Sequence, residues 1–206
     1  MIEKRWYMRM GTLGFNLIYL NLLWAAFTLL GGIVLGIFPA TAALFAVVRK
    51  MILEDEDAAV FPEFITHFKA SFKTSNILGY IVSFIGLFLL IDFRIVQNIS
   101  QESMQVLLFN LILIIGIFYL VAMLYIFPVY VHFDLKWNEY FRYACILTIA
   151  RPLQTIMLAA FVAAVIYLYI LVPALVFVIG ASFMSFVMMK IASLSFPKKQ
   201  VLHEST

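Results

Sequence analysis

The sequence predicts an all-α protein, a polytopic transmembrane helical bundle of five to six membrane segments with two cytoplasmic, interfacial amphipathic helices. Three observations lead there. The 206 residues are 65% hydrophobic and only 12% charged, with a mean hydropathy of +1.05, far from soluble usage, where charged residues make up about a quarter. Two long runs, Leu13 to Val48 and Leu153 to Met189, contain no charged residue at all. Both are broken near their middle, the first at Gly31, Gly32, Gly36 and Pro39, the second at Pro173. One crossing takes about 20 residues as a helix, so the length accommodates the crossings and leaves no room for a separate enzyme domain.

The first run sets the frame for the rest. As a single helix, Leu13 to Val48 would span roughly 54 Å against a hydrocarbon core of about 30 Å. It must bend at its glycines and proline, giving membrane segments of about 13–30 and 33–48, the second crossing fully or re-entering. The basic lead-in Lys4, Arg5 and Arg9 resembles the start of a signal peptide. A signal h-region runs about 7 to 15 residues, however, and this apolar stretch is far longer, so the segment is expected to be retained. Trp6 and Tyr7 suit the headgroup region.

An acidic link, Glu54 to Asp57, follows. Phe61, Phe64, Ile65, Phe68 and Phe72 then recur at helical spacing, opposite Thr66, His67, Lys69, Ser71 and Lys73, which predicts a surface helix over about 61–74. Pro62 and Glu63 fit its first turn. Segments of about 77–97 and 106–130 are the next crossings, joined by a polar turn. A second surface helix, about 137–149, puts Trp137, Tyr140, Phe141, Ala144 and Leu147 on one face, with Asn138, Glu139 and Arg142 off it. The second long run supplies segments of about 153–172 and 174–190, and a short basic tail ends the chain.

Charge sets the orientation. With six crossings, thirteen of the fourteen Lys and Arg residues fall on one side and only Arg94 on the other, and the positive-inside bias puts both termini in the cytoplasm. The same bias explains the net charge of +3 without nucleic acid. The single cysteine, Cys145, excludes an intramolecular disulfide and a multi-cysteine metal site. GxxxxGK[ST], HExxH, GxSxG and CxxC are all missing. No catalytic, cofactor-binding or metal-binding residue is therefore expected.

Function falls to polar residues near apolar runs. Asp92 with Arg94 and His132 with Asp134 are candidates for an intramembrane pathway, because an unpaired charge in the bilayer costs several kcal/mol. The alternative is that all four sit at helix ends in contact with water. Asn21 and Thr41, within the first run, are candidates for ligand contact or for hydrogen bonds between helices. Arg49, Lys50, Lys69, Lys73 and Arg142 are candidates for contact with anionic lipid or with a cytoplasmic partner. The Glu-Ala-Ala signature by which importer permeases engage their ATPase is missing, so this chain is not expected to be a permease subunit.

The succession Asn21-Leu22-Leu23-Trp24, Pro39-Ala40-Thr41-Ala42-Ala43-Leu44 and Val47-Val48-Arg49-Lys50, with Ser71-Phe72-Lys73 and Tyr125-Ile126-Phe127-Pro128, resembles the YesL family of small bacterial integral membrane proteins of unknown function. The resemblance covers essentially the whole chain. It implies a setting beside sugar ABC transporter and polysaccharide-degradation genes in Gram-positive bacteria, hence an accessory role in carbohydrate uptake with ABC transporter subunits as partners. No catalytic residue is carried over. The rival expectation from the residues is a small transporter or channel built on two interrupted hairpins.

Overall fold

The computed structural model describes residues 2–53 and 59–196, with side chains from residue 11 onward. The acidic link Glu54 to Asp57, the side chains of Lys4, Arg5, Trp6, Tyr7 and Arg9, and Lys198 and Lys199 of the tail lie outside what is described. Seven α-helices follow one another: α1 (Ile2–Leu30), α2 (Ile37–Leu53), α3 (Val60–Val96), α4 (Glu102–His132), α5 (Trp137–Ala150), α6 (Pro152–Leu171) and α7 (Ala174–Ala192), closed by a 3₁₀ turn at Ser193–Ser195. Five segments, Gly11–Leu30, Val60–Val96, Glu102–His132, Pro152–Leu171 and Ala174–Ser195, are long and apolar enough to cross a membrane.

At the core stands α2, the shortest element of the first hairpin. Pro39, Ala40, Ala42, Ala43, Leu44, Phe45, Val47 and Val48 are all buried, leaving it covered on nearly every side, as a helix apolar all round must be. Its alanines let neighbours approach closely. Pro39 falls in the first turn, where the missing N–H would have no helical partner. Around α2 pack α1, α3, α4 and α7.

The corner between α1 and α2 is built from backbone hydrogen bonds. The N–H of Ile33 donates to Thr28 O (2.8 Å) and that of Gly32 to Leu29 O (2.9 Å), the paired bonds of a Schellman motif with glycine at the left-handed position. Gly32 has φ +67° and Ile33 φ +66°. For a β-branched residue that conformation is strained by about 1–2 kcal/mol, and surrounding bonds hold it. Asn76 Nδ2 donates to Leu35 O (3.1 Å) and Tyr80 Oη to Val34 O (2.7 Å). The corner therefore sits beside the middle of α3, roughly 24 Å short of that helix's far end.

Two expectations change here. The stretch 61–74 is not a separate surface helix but the first part of α3, continuous to Val96. No glycine or proline interrupts the sequence between Pro62 and Gly79, and the apolar face is covered by protein: Phe64 is fully buried, and Phe27 packs on both Phe64 and Phe68. The second arm starts at Ile37 rather than 33, because Gly31 to Gly36 are consumed by the corner.

Beyond the corner, α3 and α4 continue as a hairpin pinned by Tyr119 Oη donating to Val82 O (2.7 Å) and by the Phe93–Phe109 ring contact. Its outer surface, including Phe84, Phe88, Leu107 and Ile114, is exposed, as lipid-facing residues must be. α5 is a short amphipathic helix packed on α4 that buries Tyr140, Ala144 and Leu147 while exposing Trp137, Arg142 and Ile149. Burial pushes its Cys145 thiol up from the ordinary value, which shrinks the reactive thiolate fraction at neutral pH. Maleimide labelling is expected to be slower than for free cysteine and to accelerate as pH rises; labelling at the free-cysteine rate would contradict that burial.

Candidate functional site

The ends of α2 and α4 and the beginnings of α3 and α5 enclose a polar vestibule of about 500 Å³. Arg49 and Lys50 come from the last turns of α2, where cations complement the helix dipole. Glu63, His67 and Ser71 come from one face of α3 at four-residue spacing. Tyr130 and His132 end α4, Asp134 belongs to the short link after it, and Tyr140 reaches in from α5.

Hydrogen bonds set this geometry. Lys50 Nζ donates to Glu63 Oε1 at 2.9 Å, and His67 Nε2 lies 3.5 Å from Glu63 Oε2. Arg49 Nε donates to His132 Nδ1 at 3.3 Å, so the imidazole accepts at that nitrogen and carries its proton on Nε2. Tyr140 Oη receives the Leu135 N–H (3.2 Å) and donates to Phe133 O (3.4 Å), clamping the link that presents Asp134. Glu139 accepts from the Lys136 N–H (3.1 Å) and starts α5. The Tyr130 and Tyr140 rings lie 5.0 Å apart at 58°. Pro128 one turn earlier is tolerated because α4 is tightly buried there, with Tyr125 and Val129 fully enclosed.

The sequence candidates thus divide into separate groups. Arg49, Lys50, His132 and Asp134 meet in the vestibule. Asp92 and Arg94 are at the opposite end of the α3–α4 hairpin, Arg94 beside an apolar recess with Leu90, Ile91, Ile95 and Asn98, about 45 Å away along α4. Lys69, Lys73 and Arg142 are exposed and do not line the vestibule.

Asn21 and Thr41 make contacts between helices. Asn21 Nδ2 donates to Phe177 O (2.8 Å) while its Oδ1 accepts from the Ala181 N–H (2.9 Å). Those two backbone groups are four residues apart on the continuous helix α7, so the amide bridges one of its turns. Trp24 Nε1 donates to Thr41 Oγ1 (3.0 Å), which donates to Ile37 O (2.7 Å).

Sequence reasoning assigned Glu63 and His67 only to helix positions and missed Tyr130 and Tyr140 as site residues. The i, i+4 spacing of Glu63 and His67 was visible; the approach of α2 and α4 to that face was not. Among the described residues no three His, Cys, Asp or Glu side chains form a metal-ligand set.

A family model described as "Protein of unknown function, DUF624" matches residues 17–93, from mid-α1 to near the end of α3. Three proteins of Bacillus subtilis (strain 168) are similar over most of their length. The uncharacterized protein YesL is 35% identical over 181 residues, 88% of this chain and 85% of its own. The uncharacterized protein YteU is 37% identical over 173 residues, 84% and 77% of the two chains. The uncharacterized protein YesV is 32% identical over 185 residues, 90% and 88%. No solved structure matches. On these identities and coverages the chain belongs to the YesL-like family of unknown function.

Proposed function

We propose that this chain is a non-enzymatic, multi-pass protein of the bacterial plasma membrane that assists an ABC-type carbohydrate importer, with both termini and the vestibule on the cytoplasmic side. One observation carries the choice of an accessory over a pump: among the described residues no Asp, Glu, Lys, Arg or His is buried, and the buried polar groups are the side chains of Asn, Ser and Thr and the hydroxyls of Tyr119, Tyr125 and Tyr140. Moving protons or ions through the bundle calls for exchangeable charged sites at depth, whereas a docking protein needs its charges at one surface. The vestibule, the exposed Lys69 and Lys73 and the exposed face of α5 supply such a surface. The carbohydrate setting comes from the family's genomic context. Co-purification of the tagged protein at native level in mild detergent tests this, with mass spectrometry of what accompanies it. An importer permease or ATPase is expected; recovery of the protein alone would sink the docking idea.

In this orientation α1 and α2 form a re-entrant pair. α2 is roughly 25 Å long against a hydrocarbon core of about 30 Å. The Val34 and Leu35 carbonyls are taken by Tyr80 and Asn76, as irregular backbone within a bilayer requires. Returning to the same side preserves the thirteen-to-one bias of basic residues, just as two full crossings would. In a Cys145→Ser background, Val34→Cys is expected to resist membrane-impermeant maleimide from both sides while Asn98→Cys labels from outside. Equal outside labelling of both positions would mean that α2 crosses completely.

A second reading, an autonomous transporter, is favoured by the two broken apolar runs, at Gly31 to Pro39 between α1 and α2 and at Pro173 between α6 and α7, since interrupted helices often frame substrate sites. Uptake by the purified protein in liposomes would support it.

A further inference from the structure

We propose that the recess at the far end of α3 is a binding site for an anionic phospholipid, with the phosphate on Arg94 and an acyl chain laid along the helix beneath it. The recess encloses about 380 Å³ and is lined by Leu90, Ile91, Arg94, Ile95 and Asn98. Its chemistry is graded along α3. Leu90 and Ile91, 66% and 48% exposed, lie one turn deeper than Arg94, and Asn98 follows just past the helix end. Leu87, also exposed, carries the apolar face one turn further down. A phospholipid has the same order: hydrocarbon below, phosphate at the boundary, polar headgroup outermost.

Charge selects the kind of lipid. Arg94 is the one ionisable residue lining the recess, and it has no carboxylate partner among the described residues. Asp92, two positions earlier, does not share its helix face and takes no part in the lining. A guanidinium is planar, always charged and able to hold two phosphate oxygens at once. Asn98 Nδ2 donates to Arg94 O at 2.9 Å, which fixes the amide beside the cation, where its Oδ1 can accept from a headgroup hydroxyl. A choline headgroup has no N–H or O–H to offer and sets a second cation beside Arg94. A glycerol headgroup offers hydroxyls and leaves the lipid with a net negative charge, so phosphatidylglycerol is the matching probe.

The placing of this recess in the outer leaflet, where Arg94 is the only basic residue, rests on the orientation proposed above; the lipid chemistry holds in either leaflet. The test uses the full-length protein with Cys145→Ser and Leu87→Cys, labelled with bimane at residue 87 and reconstituted in mixtures of phosphatidylglycerol and phosphatidylcholine. Brominated acyl chains on one lipid or the other quench the label and report which lies against α3 at that level. Phosphatidylglycerol is expected to be preferred about fivefold, the effect of one basic residue near anionic lipid. Arg94→Gln is expected to erase the preference and Arg94→Lys, which keeps the charge, to retain it. Lys69→Gln, at the other end of α3, is expected to change nothing. Raising the salt to about 1 M, where the screening length is about 3 Å, is expected to lower the preference with Arg94 in place, a measurement that needs no substitution at that site.

Equal quenching by the two lipids at low salt would overturn the proposal, as would a preference that survives both high salt and Arg94→Gln. A preference abolished by inorganic phosphate at constant ionic strength would also overturn it, by making the occupant a free anion. Labelling of Asn98→Cys from the inside alone would reverse the leaflet and leave the lipid site standing. Outside labelling together with no lipid preference would do the opposite.

Discussion

Gly36→Ala is expected to be among the most damaging small substitutions in the described part of the chain, together with Gly31→Ala, whose added carbon would meet the Gly36 backbone. A methyl group on Gly36 would lie 2.5 Å from Thr28 O and 2.8 Å from Phe27 O. Both obstacles are backbone, so no side chain can rotate away. Phe27 O and Thr28 O also accept the bonds that end α1, from Gly31 and Ile33, so moving them opens the corner. Over-packing costs typically 1–3 kcal/mol; with rigid backbone as the obstacle the loss should be about 3 kcal/mol. The unfolding midpoint in detergent measures it. Gly116→Ala is the control: nothing lies within 4 Å of its added carbon, and alanine's helix propensity makes that change neutral or stabilising by up to about 1 kcal/mol. Equal midpoints for the two variants would mean that the corner is not packed as described.

Asn21→Leu should produce the next-largest loss. The side chain is 4% exposed and joins α1 to α7 through Phe177 O and the Ala181 N–H, with Ser182 N at 3.4 Å from the same oxygen. Hydrogen bonds between helices in membranes contribute about 0.6 kcal/mol on average and up to about 1.7 kcal/mol. This amide makes two good bonds at once, so about 1–2 kcal/mol is expected. Asn110→Leu separates this from a general loss of polarity: Asn110 is exposed on α4 and donates only to Val106 O of its own helix. Its replacement is expected to leave the midpoint unchanged, and an equal drop in both variants would count against a specific α1–α7 contact.

Much of the candidate site was legible as residues and almost none of it as a site. Arg49 and Lys50 announced themselves as cations ending an apolar run, and His132 and Asp134 as polar groups ending another. Their meeting was not readable, because it depends on α2 lying against α3 so that Lys50 reaches Glu63 thirteen residues away, and on α4 returning so that His132 reaches Arg49 across 83 residues. Asp92 and Arg94 looked equivalent to His132 and Asp134 in local pattern. The charge bias already put Arg94 on the side opposite Lys136; the fold adds that His132 and Asp134 join the ends of α2 and α3, while Asp92 and Arg94 do not.

Hydropathy alone determined that this is a helical membrane protein, since long uncharged runs leave the backbone no option but to satisfy its own hydrogen bonds as helices. Glycine and proline fixed where the first run turns, because Gly32 takes φ +67° without strain and Pro39 does without an N–H in the first turn of α2. Tertiary packing decided the rest. It made 61–74 the start of α3 rather than a surface helix, because the Phe64 face finds α1 and α2 to cover it; periodicity reports that a face is apolar but not what covers it. It also set the α1–α2 corner against the middle of α3, through the side chains of Asn76 and Tyr80, which no local pattern marks as partners of residues more than forty positions earlier.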